Sequence, residues 1–134
     1  MPIHKMNYED GVFYTQTTGY FDNVDARMWL KAFQNYAAAS DSPIIGVIDV
    51  RDAERLCSTI PKLLNDVLPH GNILNLVVTM GGSQSRTLDK IVQMNKVKVV
   101  FTAEDAHRFA QTNVRPSFGM NSSNAYSMYA VATM

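Results

Sequence analysis

Three short runs of apolar and β-branched residues, with helical patterns between them, constrain this chain more than any other feature. They are residues 44–50 (IIGVIDV), 73–80 (ILNLVVTM) and 97–101 (VKVVF). Runs that are almost wholly apolar are typical of parallel strands covered on both faces. Helices between such strands act as crossovers that return the chain to the same sheet. The chain is therefore predicted to be an α/β protein.

The N-terminal part predicts a hairpin that leads into a helix. Residues 3–8 and 12–21 read as two strands, and Asp10-Gly11 between them is a turn signal. The mixed faces of the second strand suit a position near a sheet edge. Residues 24–39 then repeat apolar side chains at the spacing of one buried helical stripe, and Pro43 follows the helix.

The remaining segments complete the order β-β-α-β-α-β-α-β-α. Residues 51–57 are predicted to form a polar loop, and Ser58 or Thr59 caps the helix that follows, with Pro61 in its first turn. A further helix is expected over residues 84–95, and a last one begins after Thr102. We expect a mixed, mostly parallel sheet of four to five strands with helices packed on it.

Composition excludes several classes of protein. The chain has 134 residues, with 12 basic and 12 acidic side chains, so it has no net charge to attract nucleic acid. No apolar run approaches the length of a membrane span, and no signal peptide is evident. The one cysteine, Cys57, cannot form an internal disulfide and fits a reducing compartment. We expect a cytoplasmic protein whose single domain covers residues 1–111.

The C-terminal segment, residues 112–134, differs from the rest of the chain. Its one charged residue is Arg115, and it carries many apolar and aromatic side chains. Such a segment is expected to pack either on its own domain or on a second copy of the chain, because it would associate if left in water. We favour the second copy, and hence a homodimer, since the predicted pattern of strands and helices is complete by residue 111.

No group of residues has the pattern of a catalytic or metal site. Gly81-Gly82-Ser83 matches no phosphate-binding motif, and His4, His70 and His107 lack metal-ligand spacing. Cys57 precedes a helix but is interpreted as a packed, unreactive thiol. We therefore expect no enzyme activity, no metal and no cofactor.

A charged cluster follows the first of the three buried strands. Its members are Asp49, Arg51, Asp52, Glu54 and Arg55. In open α/β sheets, ligands and partners bind at the carboxyl ends of the strands. We predict that residues 49–59 form a loop that binds a partner protein, through Asp49, Arg51, Asp52 and Arg55.

Residues 3–111 resemble the STAS domain in its SpoIIAA-like branch, the fold of anti-sigma-factor antagonists. The resemblance is carried by VFYTQTTGYFD, PIIGVIDVRD, ILNLVVTM and VKVVFTAEDAHRFAQ. It implies a non-catalytic regulatory or protein-interaction module. It also implies a phosphorylatable serine after Asp49, but residues 50–53 are Val-Arg-Asp-Ala. The nearest hydroxyls are Ser58 and Thr59, which are the candidate phosphoacceptors.

The alternative function is a carrier of a small apolar or lipid-like ligand. The SpoIIAA-like branch resembles lipid-exchange domains in architecture, which implies an apolar pocket. Trp29, Phe33 and Leu64 are the residues predicted to line such a pocket.

Overall fold

The computed structural model describes residues 3–81 and 86–114 and has the predicted order of elements. The strands are β1 (Ile3–Glu9), β2 (Val12–Phe21), β3 (Ile44–Leu56), β4 (Ile73–Thr79) and β5 (Val97–Val100). The helices are α1 (Asn23–Ala39), α2 (Ile60–Val67), α3 (Arg86–Ile91) and α4 (Ala103–Asn113).

The five strands form one mixed sheet in the order β1-β2-β3-β4-β5. Only the β1–β2 pair is antiparallel, and the other three pairs are parallel. The predicted turn joins the antiparallel pair, with positive φ angles of 53° at Asp10 and 81° at Gly11. Such angles suit a tight hairpin. The mostly parallel, five-stranded α/β fold is thus confirmed.

The main core lies between the sheet and helices α1 to α3. Side chains at the centre of this core come from β2, α1, β3, α2 and β4, and include Phe13, Trp29, Phe33, Ile48 and Leu64. α1 begins with two reciprocal hydrogen bonds, because the backbone N–H groups of Asp22 and Asp25 each donate to the other residue's carboxylate. This capping arrangement fixes the start of the helix beside the end of β2.

The opposite face of the sheet is covered by α4. Val12, Ile45, Val47 and Val77 pack there against Ala106 and Ala110. Val114 belongs to the same cluster, and a Cβ at Gly11 would come within 2.6 Å of its Cγ2 atom. The packed chain on this face therefore continues to Val114, so the predicted boundary at residue 111 falls inside α4. Residues 115–134 of the predicted tail lie outside the described residues.

One predicted helix differs in extent from the structure. The helix expected over residues 84–95 is observed as α3 (Arg86–Ile91) and is followed by turns up to Lys96, which has a φ of 71°. Lys96 donates from its ammonium to the carbonyl oxygens of Leu68, His70 and Ile73. These bonds tie the segment before β5 to the end of α2. Residues 82–85, including most of the predicted glycine turn, lie outside the described residues.

Candidate functional site

The segment predicted as a polar loop is the second half of β3. β3 continues to Leu56 and pairs with β2 as far as Phe21, whereas β4 ends opposite Asp49. Beyond Asp49 the two strands thus form a two-stranded ribbon that extends past the rest of the sheet. The loop prediction for residues 51–57 was wrong because the ten-residue strand β2 supplies backbone partners for this polar stretch.

Two irregularities in the β2–β3 pairing explain why the sequence pattern did not predict this extension of β3. The register shifts between Gln16 and Thr18 and again between Gly19 and Tyr20. Val50, Ala53 and Leu56 are the residues of this stretch that pack on the main core. They recur every three residues, since β-bulges insert extra residues into the strand. The period of two that marks a half-buried strand is consequently absent.

Asp49 and Arg51 form an ion pair where the ribbon leaves the sheet. Arg51 donates from Nε to Oδ1 at 3.0 Å and from Nη2 to Oδ2 at 2.7 Å, and its backbone N–H also donates to Oδ1 at 3.0 Å. Burial alone would raise the pKa of Asp49, but these hydrogen bonds and the charge of Arg51 together hold that pKa below its usual value. The carboxylate of Asp49 therefore stays ionised, and its oxygens already accept hydrogen bonds from Arg51.

The exposed side of the ribbon carries charges and one aromatic ring. We call it the ribbon surface, and its members are Tyr20, Arg51, Asp52, Glu54 and Arg55. The Arg55 guanidinium lies 5.1 Å from the centroid of the Tyr20 ring, which is 47% exposed. A cation stacked on an aromatic face in this way is attracted by the ring and loses part of its freedom. Three of the four predicted partner-binding residues, Arg51, Asp52 and Arg55, thus lie on this surface, and all four belong to a strand rather than a loop.

The ribbon leads directly into the start of α2. The Cys57 N–H donates to the Phe21 carbonyl at 2.9 Å, which anchors the connection to β2. Thr59 precedes α2 but its side chain does not cap the helix; its hydroxyl donates to Oδ1 of Asn23 at 2.9 Å and lies 3.2 Å from Sγ of Cys57. Ser58 is exposed. Pro61 lies in the first turn of α2, as predicted.

The three residues predicted to line an apolar pocket are packed in the core. Trp29 is 2% exposed, and Phe33 and Leu64 are fully buried. Trp29 and Leu64 border a void of about 10 Å³, which has room for roughly one water molecule. A lipid-like ligand could reach these side chains only if the core opened.

An open groove of about 440 Å³ lies on the other face of the sheet, and sequence patterns did not reveal it. It lies beside α4, the helix that packs on this face in the described part of the chain. Its lining includes Tyr14, Gln16, Asp49, Arg51, Thr79 and His107. His107 hydrogen-bonds through Nδ1 to the Tyr14 hydroxyl at 3.0 Å. The groove therefore adjoins the Asp49–Arg51 ion pair, and its lining is partly polar.

Residues 3–81 and 86–114 contain no cluster of three or more His, Cys, Asp or Glu side chains placed to hold a metal ion. Cys57 is buried beside Thr59. The Nδ1 atom of His70 accepts from the Asn72 N–H, and so this histidine has a local structural partner. Over the same residues, no helix is long and apolar enough to cross a membrane.

Solved structures similar to this chain include two anti-sigma factor antagonists and one protein described as having a SpoIIAA-like fold. An anti-sigma factor antagonist from Mycobacterium paratuberculosis is 26% identical with a TM-score of 0.60, over 80% of this chain and 92% of that one. The unphosphorylated anti-sigma factor antagonist SpoIIAA is 8% identical with a TM-score of 0.59, over 82% and 98% of the two chains. An uncharacterized DUF3478-family protein from Shewanella loihica, described as having a SpoIIAA-like fold, is 14% identical with a TM-score of 0.53, over 79% and 90%.

The sequence comparisons gave no further relatives. No protein-family model matches the chain, and no curated protein matches its sequence. The structural similarity covers about four fifths of the chain and nearly all of each matched structure. It therefore concerns the whole described fold rather than one supersecondary unit.

Proposed function

We propose that this chain, a STAS domain of the SpoIIAA-like type, is a non-catalytic regulatory module that binds a partner protein through the ribbon surface and the adjoining start of α2. Similarity to two anti-sigma factor antagonists supports a regulatory STAS-type module. The partner's identity is not implied by that similarity. The geometry of the ribbon supports the choice of this surface.

The observation that carries this proposal is the extension of β3 beyond the sheet. The exposed side chains of the ribbon surface do not belong to either core cluster, so they remain available to a partner. Backbone pairing from Thr18 to Phe21 nonetheless holds them in order. A preformed charged surface loses little conformational entropy on binding and can select a partner of complementary charge.

Ser58 is the better candidate for a phosphoacceptor in this region. Its side chain is exposed, whereas the Thr59 hydroxyl already donates to Asn23. A phosphate on Ser58 would lie at the start of α2, where backbone N–H groups and the helix dipole favour negative charge. It would also lie one turn before Lys62, which is exposed. Modification there would change the charge of the proposed partner surface.

A comparison of variants in native cells tests the proposal. We expect a protein that co-purifies with the tagged wild-type chain to be depleted when Arg55→Glu is introduced. The matched control is Lys98→Glu, which reverses an exposed charge on β5 at the far edge of the sheet. Equal recovery of every co-purifying protein by wild type and by both variants would refute the assignment of the ribbon surface.

The second candidate function, a small-ligand carrier, is favoured by the groove beside α4. Its volume of about 440 Å³ is within the usual range of small-molecule sites. The lining mixes charged and apolar groups, which suits a small amphipathic molecule better than a lipid tail. Native mass spectrometry after gentle purification would detect such a ligand as a defined added mass. A chain found only at its own mass would remove the support for this function.

A further inference from the structure

Several exposed or half-buried apolar side chains lie on β1 and on α1. We call this group the β1–α1 strip, and its members are Met6, Tyr8, Val24, Met28 and Tyr36. The last three follow one another on α1 at intervals of four or eight residues, so they share one side of the helix. The ring of Tyr36 stacks on that of Tyr8, with centroids 4.5 Å apart, which places this side of α1 beside β1.

The strip holds most of the large exposed apolar side chains in the described part of the chain. Among the described residues, six large apolar side chains are exposed. Four of the six belong to the strip: Val24 at 71%, Met28 at 40%, and Met6 and Tyr36 at 39% each. Single exposed apolar residues are ordinary, whereas several on two neighbouring elements favour an association surface.

The edge of β1 adds unpaired backbone groups to the same place. Within the described residues β1 pairs only with β2, so its other edge has free N–H and C=O groups over a seven-residue strand. Such an edge is a template for another strand. Lys5 and Glu9 alternate with Met6 and Tyr8, so these two charges lie on the opposite sheet face, where they border the groove.

The order of residues along β1 is self-complementary about Asn7. In an antiparallel pair of β1 strands with the two-fold axis at Asn7, Lys5 lies opposite Glu9 of the partner subunit, and Met6 lies opposite the partner's Tyr8. Opposite charges and thioether–aromatic contacts in facing positions both stabilise a strand pair. If the axis is moved to Met6 or to Tyr8, Lys5 no longer lies opposite an acidic residue and Glu9 no longer lies opposite a basic one. The sequence therefore favours one register.

We propose that two copies of this chain associate by antiparallel pairing of their β1 strands about a two-fold axis at Asn7. The pairing joins two five-stranded sheets into one of ten strands and satisfies the free backbone edge of each. It places the two β1–α1 strips on the same side of the joined sheet. A closed two-fold interface also prevents further strand addition at this edge. The β1 edge is separate from the ribbon surface proposed for the partner protein.

Sedimentation velocity on the full chain, over a series of concentrations, tests this pairing. We expect a wild-type dimer, and a dissociation constant raised roughly tenfold or more by Lys5→Glu or by Glu9→Lys, since each turns two facing pairs repulsive. The Lys5→Glu, Glu9→Lys double variant should restore the dimer. Lys98→Glu, on the opposite edge strand β5, is the matched control and should leave it unchanged.

A cross-linking variant gives an independent readout of the register. The Asn7→Cys chain should form a covalent dimer on mild oxidation, because residues that face each other across an antiparallel pair are close enough for a disulfide. Lys98→Cys should not. The proposal is overturned if the wild-type chain is monomeric throughout the series, if the double variant stays as weak as the single ones, or if Asn7→Cys does not cross-link. A dimer insensitive to all these changes would instead favour residues 112–134 as the interface.

Discussion

The ring of Phe33 lies so close to Gly46 that a Cβ atom added at position 46 would approach Cζ of the ring to 2.5 Å. Phe33 is on α1 and Gly46 is in the middle of β3, and both are fully enclosed by the main core. The absence of a side chain at position 46 is thus what lets α1 pack closely on the centre of the sheet. The glycine in IIGVIDV has a packing role.

Substituting this glycine should disturb the helix–sheet contact. We expect Gly46→Ala to lower the free energy of unfolding by about 1–3 kcal/mol, because the new methyl group overpacks the core. The same substitution should cost less in a Phe33→Leu background, where the far end of the ring is gone. Urea unfolding of the four chains in this cycle measures the coupling. Equal costs in both backgrounds would show that Phe33 is not the obstacle.

The Lys96 ammonium should be a major local stabiliser. Lys96→Met removes donors at 2.6, 3.2 and 2.9 Å from three carbonyl oxygens, two of which belong to the turn after α2. We expect a loss of about 2–4 kcal/mol, because charged donors make strong hydrogen bonds and these carbonyls are left partly unsatisfied. Lys98→Met, at an exposed position two residues further, is the control in the same denaturation experiment. An equally small loss of unfolding free energy in Lys96→Met and Lys98→Met would contradict the stabilising role of the Lys96 ammonium.

The Asp49–Arg51 ion pair predicts a pH dependence of stability. Since the pKa of Asp49 is lowered in the folded protein, its contribution is present above the unfolded value, near 4, and is lost as the pH falls through the folded value. Asp49→Asn should therefore cost up to about 1 kcal/mol at neutral pH, with the difference from wild type shrinking in acid. Thermal melts from pH 7 to pH 2 measure this difference. A difference that grew on acidification would contradict the assignment.

Sequence patterns were sufficient for the order of elements because the buried strands, such as residues 44–48, are apolar throughout and the helices have clear stripes. They failed at residues 51–56 because the contacts that make this stretch a strand come from β2, and because bulges change the spacing of Val50, Ala53 and Leu56. Asp49 was expected near the end of its strand, but β3 continues to Leu56 and only the pairing with β4 stops at Asp49. Its bond to Arg51 depends on a local geometry that no sequence pattern encodes.

The sequence pattern identifies apolar side chains as buried, but it does not distinguish a packed core from the lining of a pocket. Trp29, Phe33 and Leu64 were expected to line a pocket, yet close packing uses them to fill the space between α1, α2 and the sheet. The groove beside α4 was not foreseen, since its lining comes from side chains on four strands and one helix. These side chains lie in separate parts of the sequence, so no single segment carries a pattern that indicates the groove.

Phosphorylation, if the chain is modified in its native cells, should occur at Ser58. Residues 50–57 contain no hydroxyl side chain, and the Thr59 hydroxyl is engaged with Asn23. Phosphopeptide mapping of the chain isolated from those cells, with Ser58→Ala as the control, locates the group. A phosphate on Thr59 or in a distant segment would contradict the expected role of the α2 start.

The most direct test of the partner-binding proposal is photo-crosslinking from the ribbon surface in native cells. A photoreactive residue at Glu54, which is exposed on the ribbon, should form a covalent adduct with one partner protein, identified by mass spectrometry. The same residue at Lys98, exposed on the far edge of the sheet, should not form that adduct. A specific adduct from position 98 with none from position 54 would contradict the account.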